Sequence, residues 1–280
     1  MDIMNEKVFA DYFLARINSL LNKFGYEFVV KKLNNKLKYF VKNLICVNVG
    51  SGDWEANGWI NLDYPTAWYS NAQSRHKITP YDIRKDKLPF EDNSVDRIYC
   101  SHVIEHIEDT FVNTFFVEAF RVLKKNGGIR ISCPDAEFLY QATKANQHYW
   151  QWRDSWFNDV NFYEGPTPSP LDYLVREIAT PKLNGYKHSI ETSCFLKEFE
   201  TLSMDVFLQY LTKNLCFRKD FPGDHINFWT FDKMKKSLAN AGFSTIIQSK
   251  WNGSIFKEMQ CPEKFDLTYP NMSLYVECVK

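Results

Sequence analysis

The sequence predicts a doubly wound α/β fold on a mostly parallel sheet, with an N-terminal extension and a long internal insertion. Three observations predict it. Short β-branched apolar runs alternate with helical patterns, as in successive βαβ units. The run Ile45-Cys46-Val47-Asn48-Val49 breaks at Gly50-Ser51-Gly52. A second run, Gly58-Trp59-Ile60-Asn61-Leu62-Asp63, ends in an acid.

An apolar run that stops at glycines reads as a buried strand whose backbone can approach a ligand closely. Strand, glycine turn, strand and carboxylate is the arrangement by which doubly wound sheets hold the ribose of a nucleotide-like cofactor. A dinucleotide fingerprint needs a third glycine and an acid about 20 residues on. Here the acid follows Gly52 by only 11 positions. That leaves little room for a crossover helix and favours a cofactor with a ribose but no phosphates.

Composition bounds the function classes. A chain of 280 residues, 45% hydrophobic, can bury a substantial core, which excludes global disorder. Lys plus Arg equals Asp plus Glu at 34 each, so no global field favours nucleic acid. The seven cysteines form no Cys-x-x-Cys and mostly fall in apolar runs, as reduced core thiols do. No apolar stretch approaches the roughly 18 residues of a membrane span. A soluble, cytoplasmic protein is expected.

Residues 1–44 read as an N-terminal helical extension. From Glu6 to Phe24, Val8, Phe9, Tyr12, Phe13, Ile17, Leu20, Leu21 and Phe24 recur at helical spacing, ending before Gly25. This helix leaves room for a homo-oligomer. Residues 26–43 mix apolar side chains with Lys31, Lys32, Lys36, Lys38 and Lys42 and show no clear period. They read as a solvated face, with a basic surface for an anionic substrate or membrane as the alternative.

Residues 45–280 form the main domain. Asp82-Ile83 and the turn-rich Leu88–Ser94 precede a strand at Val95–Ser101. Asp109 or Thr110 can cap the next helix, with Val112, Phe115, Phe116, Ala119, Phe120 and Leu123 on one face and Gly127-Gly128 as its stop. Ile129–Cys133 is the next strand, closed by Pro134-Asp135. Residues 136–229 then break the rhythm with 94 positions, 19 of them aromatic, too long for a loop and too embedded for a separate domain. They read as a cap over the carboxyl ends of the strands, with a loop at Gly165–Pro170 and helical patterns around Phe195 to Leu211. Thr230 caps a helix with Met234, Leu238 and Ala241 inward, stopped at Gly242. Ser244–Ser249 is a strand, and Leu274–Val279 a final one, antiparallel to its neighbour.

Taken together, Val47–Gly52, Gly58–Asp63, Asp82-Ile83, Leu88-Pro89-Phe90, Ser101-His102-Val103-Ile104-Glu105-His106, Arg121–Lys124 with Gly127-Gly128, and Ala241-Gly242-Phe243 resemble class I S-adenosylmethionine-dependent methyltransferases. The likeness is closest to the small-molecule group often called type 11, in the branch with a shortened first crossover. It covers residues 45–135 well and 230–280 loosely. It implies a Rossmann-like, seven-stranded sheet and S-adenosylmethionine as cofactor. Gly50, Ser51 and Gly52 would meet the methionine end of that cofactor, and Asp63 would accept from both ribose hydroxyls. Asp82 would accept from the adenine amine with the Ile83 N–H near the ring, Tyr64 would flank ring or ribose, and Ser101 and His102 would lie by the methionine moiety. Ser51 departs from the family, where cysteine is common, and the insertion leaves the substrate open.

His102-Val103-Ile104-Glu105-His106 also matches the His-x-x-Glu-His signature of inverted zinc peptidases, in which two histidines on one helix bind zinc and the glutamate activates water. The strand pattern runs to Ser101, which sets His102 at the strand-to-helix bend, and no residue is assigned to a metal on sequence alone. Methyl transfer to an oxygen can need a base, and an imidazole suits that task. His225, in Gly223-Asp224-His225-Ile226-Asn227, and His106 are the candidates, with His188 third. The expected activity is methylation of a small-molecule or carbohydrate acceptor at oxygen, by analogy in surface-polysaccharide biosynthesis. The non-enzyme alternative is a catalytically silent methyltransferase-like module that binds the cofactor or a partner.

Overall fold

The computed structural model of the chain describes residues 26–33, 36–145, 148–153, 168–183 and 193–280. Strands β1 (Tyr26–Leu33) and β2 (Lys36–Asn43) pair antiparallel in a hairpin, with Leu33 opposite Lys36. The seven-stranded sheet holds β3 (Cys46–Val49), β4 (Trp59–Asp63), β5 (Thr79–Pro80), β6 (Val95–Ser101), β7 (Leu123–Pro134), β8 (Thr245–Ser249) and β9 (Ser273–Val279). Its order is β5-β4-β3-β6-β7-β9-β8. Pairs from β5 through β7 are parallel, whereas β9 runs antiparallel to both β7 and β8. From β3 the chain winds outward to β5, then returns to β6 on the other side of β3. That reversal makes the carboxyl ends of β3 and β6 the topological switch point, where such sheets bind ligands.

Strand alternation builds two faces. Val47, Val49, Leu62, Ile98, Cys100, Ile129, Ile131, Val276 and Cys278 point into one core, packed with Val112, Phe115, Phe116 and Ala119. These last four lie on one face of α2 (Asp109–Val122), which follows the short α1 (Ser70–Gln73). On the opposite face Tyr99 packs with Phe256, Met259 and Phe265. Arg130 is also on that side, fully buried between Asp266 and Glu277 at 2.5 and 3.1 Å. A buried charge is tolerated there because it is paired and hydrogen-bonded.

A second apolar cluster is drawn mostly from residues 136–229. It joins Leu139 of α3 (Ala136–Lys144), Leu174 and Ile178 of α4 (Pro170–Ala179), Phe195 of α5 (Ser193–Thr201) and Phe207 and Leu211 of α6 (Met204–Thr212). Helix α7 (Phe231–Asn240) returns to the main core through Met234 and Leu238, and the Thr230 side chain caps it by accepting from Lys233 N–H. No helix among the described residues is long and apolar enough to cross a membrane.

Four expectations need correction. The helical extension over 1–44 is not helical at 26–43, where the hairpin forms. Asn34-Asn35 between lysine-bearing β-branched runs is a hairpin signal, because asparagine tolerates the backbone of two-residue turns. Gly127-Gly128 do not stop α2, which ends at Val122, and both lie inside β7. Gly128 is needed there because a Cβ would meet the Phe256 ring at 2.1 Å. The residue that caps α2 is Glu108, without a side-chain bond. Pro170 belongs to α4 as its first residue, where a missing N–H costs nothing, behind a capping box of Ser169 and Asp172. The helix expected over Glu6–Phe24, residues 165–167 of the proline-rich loop and His188 lie outside the described residues.

Candidate active site

A cavity of about 590 Å³ opens at the switch point, over the carboxyl ends of β3, β4 and β6. Gly50, Ser51, Gly52, Asp63, Tyr64, Ile83, Ser101, His102 and His106 all line it. Nine residues that the sequence reading singled out thus line one cavity. Asp82 and His225 stand off the wall.

The glycine turn is held from β4. Gly50 N–H donates to the Leu62 carbonyl at 2.8 Å, and Gly52 N–H donates to Asp63 Oδ2 at 2.8 Å. Tyr64 N–H donates to Oδ1 at 2.8 Å. The residues between β3 and β4 contain no helix, so the first crossover is short as expected. Gly50 and Gly52 both have positive φ, +71° and +54°, but for different reasons of space. A Cβ on Gly50 would strike Val103 Cγ2 at 2.2 Å, whereas Gly52 faces open room with no atom within 4 Å. Gly50 is therefore required by packing as well as by its φ, whereas Gly52 is required by its φ alone.

Burial raises the Asp63 carboxyl above its ordinary pKa, against the hydrogen bonds from Gly52, Gln73 and Tyr64 that lower it. Each of its oxygens takes one backbone N–H, and with the Gln73 bond counted a lone pair remains for a hydroxyl. Ser51 Oγ and Tyr81 OH are buried on the same wall without a hydrogen-bond partner. A diol acceptor, two unpartnered hydroxyls and an open glycine fit the ribose and methionine portions of S-adenosylmethionine. Aromatic walls from Trp54, Tyr69 and Tyr99 suit its ring and its cationic sulfur.

Asp82 is spent on Arg84, which reaches Oδ1 and Oδ2 at 2.8 Å each. Burial opposes ionisation of Asp82, but this pairing prevails and lowers its pKa. Arg84 then lies 3.7 Å over the Phe217 ring and 5.1 Å over Tyr64. Asp82 thereby braces the wall through Arg84, and Ile83 supplies the wall itself.

The histidines gather at a bend after β6. His102 sits at φ +54° between β6 and a single 3₁₀ turn, Ile104–His106, so it shares no helix with His106. Its Nε2 meets Ser273 Oγ at 2.8 Å and its Nδ1 meets Glu105 Oε1 at 3.1 Å. A strap from Asp224 to Trp229 is laced onto this turn. Ile226 and Asn227 N–H donate to the Glu105 carbonyl at 2.9 and 3.0 Å, and Asn227 Nδ2 donates to the Ile107 carbonyl at 2.9 Å. The lacing brings the His225 ring within 4.8 Å of the His106 ring. His106 Nδ1 bonds the Asp224 carbonyl at 2.9 Å and His225 Nδ1 the Glu177 carbonyl at 2.7 Å. A carbonyl only accepts, so in both rings Nδ1 carries the hydrogen and Nε2 the lone pair. Burial opposes the charge on Glu105, yet His102, His106 and His225 outweigh it and lower its pKa to about 2. Burial lowers the His106 pKa, which favours the neutral ring.

Residues that the sequence reading missed include Tyr81, Tyr99, Phe217 and Glu105. The last was visible only as part of the zinc signature. The others needed strand register, or the fold of the insertion, to be found.

A methyltransferase domain family model matches residues 59–131. No curated protein sequence matches the chain. Among solved structures, an S-adenosylmethionine-dependent methyltransferase from Mesorhizobium loti is similar at 17% identity and TM-score 0.42, over 85% of this chain and 91% of that one. One from Archaeoglobus fulgidus is similar at 11% identity and TM-score 0.42, over 96% and 94%. One from Aquifex aeolicus is similar at 10% identity and TM-score 0.38, over 84% and 81%.

Proposed function

We propose that the chain is a class I S-adenosylmethionine-dependent methyltransferase, a reading that the methyltransferase-domain match over residues 59–131 supports, and that it methylates a small or carbohydrate-like acceptor at an oxygen. The observation that carries this reading is His106 on the cavity wall, with its Nε2 lone pair held available and a Glu105 oxygen within 4.8 Å of the ring's nitrogen. S-adenosylmethionine, when bound, supplies an electrophilic methyl group on a sulfonium. Asp63 and the Gly52 turn would hold the ribose end, and the wall around Tyr81 and Tyr99 would exclude water. His106 Nε2 takes the acceptor's hydroxyl proton as the oxygen attacks, and the Glu105 carboxylate stabilises the imidazolium that results. His225, behind His106, positions that ring and can receive the proton in turn.

We read residues 136–229 as the substrate cap, since Phe217 and Pro222 reach the cavity from that segment. A carbohydrate acceptor suits a wall rich in tyrosine and tryptophan, and surface-polysaccharide biosynthesis is the setting we assign by analogy. Unpaired thiols at Cys46, Cys100, Cys133 and Cys278 favour a reducing, cytoplasmic location. Screening sugars and phosphosugars for methyl acceptance tests the reading. A methyl ether is the expected product; methylation at nitrogen or sulfur alone would refute the oxygen assignment.

A further inference from the structure

Behind the cavity wall, Glu105, His106 and His225 each offer a ligand atom, all within 4.8 Å of one another. Three independent features make this more than proximity. First, both imidazoles donate Nδ1–H to backbone carbonyls, the outer-shell anchoring that orients metal-ligating histidines and leaves Nε2 to coordinate. Second, Glu105 is 1% exposed, yet its Oε2 has no hydrogen-bond partner. A buried carboxylate oxygen without a partner is costly and calls for a cation. Third, the neighbouring acids are paired: Asp224 with Arg218 and Glu177 with Arg153, with Glu177 Oε2 also 3.9 Å from His225 Nδ1, while His102 Nδ1 engages only the other oxygen of Glu105 at 3.1 Å.

We propose that Glu105, His106 and His225 form a binding site for a first-row divalent cation at the back of the acceptor cavity. Two imidazoles and one carboxylate suit Zn²⁺, Co²⁺ or Mn²⁺, and three protein ligands leave positions for a substrate oxygen. His106 lies on the cavity wall, so those positions face the acceptor. The ligand set differs from the zinc-peptidase reading, because His225 replaces His102. Bonds of about 2.1 Å place tetrahedral ligand atoms roughly 3.4 Å apart, so coordination requires the cluster to close by up to about 1.4 Å.

The role rests on the methyl-transfer reading: where the cation is bound it orients the acceptor hydroxyl and acidifies it, the proton passing to solvent water, and His106 is then a ligand in place of the base it is in the metal-free chain. The test uses the full chain, stripped with chelator, desalted, and titrated with Co²⁺ alone while visible absorption and heat are recorded. One equivalent should bind, and Glu105→Gln and His225→Gln should each weaken binding at least tenfold. Affinity for S-adenosylhomocysteine, measured on the same samples, should stay within twofold and reports folding. If Glu105→Gln loses that affinity, His225→Gln carries the test. Absence of Co²⁺ binding, or unchanged affinity in a folded variant, overturns the site. Co²⁺ binding without S-adenosylhomocysteine binding would instead preserve the site and overturn the methyl-transfer reading.

Discussion

The Asp63 carboxylate, at the end of β4, holds the Gly52 amide at 2.8 Å and so fixes the glycine turn that follows β3. One side chain thereby shapes the loop and, in the proposed cofactor site, would present an acceptor to a diol. Asp63→Ala should lower S-adenosylhomocysteine affinity at least tenfold, since it removes a charge-assisted acceptor worth about 1.5–3 kcal/mol. Asp63→Asn, which keeps one carbonyl oxygen, should fall between. Calorimetric titration of both variants checks this, and unchanged affinity would remove Asp63 from the site.

The two glycines of the turn separate strain from collision. Gly52→Ala puts a left-handed φ on alanine in open space and should cost about 1 kcal/mol. Gly50→Ala adds a collision with Val103 and should cost roughly 1–3 kcal/mol more. Denaturant unfolding should rank them in that order, and Val103→Ala should recover part of the loss in Gly50→Ala alone.

Acid should act in two steps. His106 folds with its pKa lowered from 6.5, so the folded state disfavours the protonated ring, and stability falls as pH drops below 6.5. Glu105 folds with its pKa lowered from 4.5 to about 2, so its contribution is complete above 4.5 and fades as pH falls from there towards 2. Thermal unfolding against pH should lose the first step in His106→Gln and the second in Glu105→Gln. Turnover should stay level down to pH 6.5 and decline only below it. His225→Ala should lower turnover while leaving cofactor affinity intact.

On the opposite face of the sheet, Arg130 is buried between Asp266 and Glu277 and also donates to the Lys250 carbonyl at 2.9 Å. Arg130→Met leaves two buried carboxylates uncompensated and should cost about 3–5 kcal/mol, read as a lower denaturant midpoint. Asp266 N–H also donates to Tyr99 OH at 2.8 Å, and Tyr99, Leu267 and Thr268 line the cavity, so the folded fraction should lose S-adenosylhomocysteine affinity as well.

Much of the sheet was legible because buried parallel strands are dense in β-branched residues: Val47-Asn48-Val49 and Ile129-Arg130-Ile131 announce themselves. The start of β7 was hidden, since Lys124, Lys125 and Asn126 are polar and join the strand through tertiary pairing. Asn126 N–H bonds the Lys280 carbonyl, and Lys280 N–H bonds Gly127. The hairpin at 26–43 escaped because Lys31-Lys32 and Val29-Val30 blur a two-residue alternation. In the site, Asp63 was readable from its place at a strand end. The pairing of Asp82 with Arg84 was not, because an ion pair two residues apart depends on how the turn closes. The meeting of His106 with His225 depends on a strap more than 100 residues away, laced to the Glu105 carbonyl, and no local pattern encodes it.

The central claim is a site for S-adenosylmethionine at the ends of β3, β4 and β6. Calorimetric titration of the purified full chain with S-adenosylmethionine and with S-adenosylhomocysteine tests it most directly. Saturable binding of both at one site per chain, weakened in Asp63→Ala, is the predicted result. Heat no greater than dilution for both ligands, from a chain that unfolds cooperatively, would contradict it.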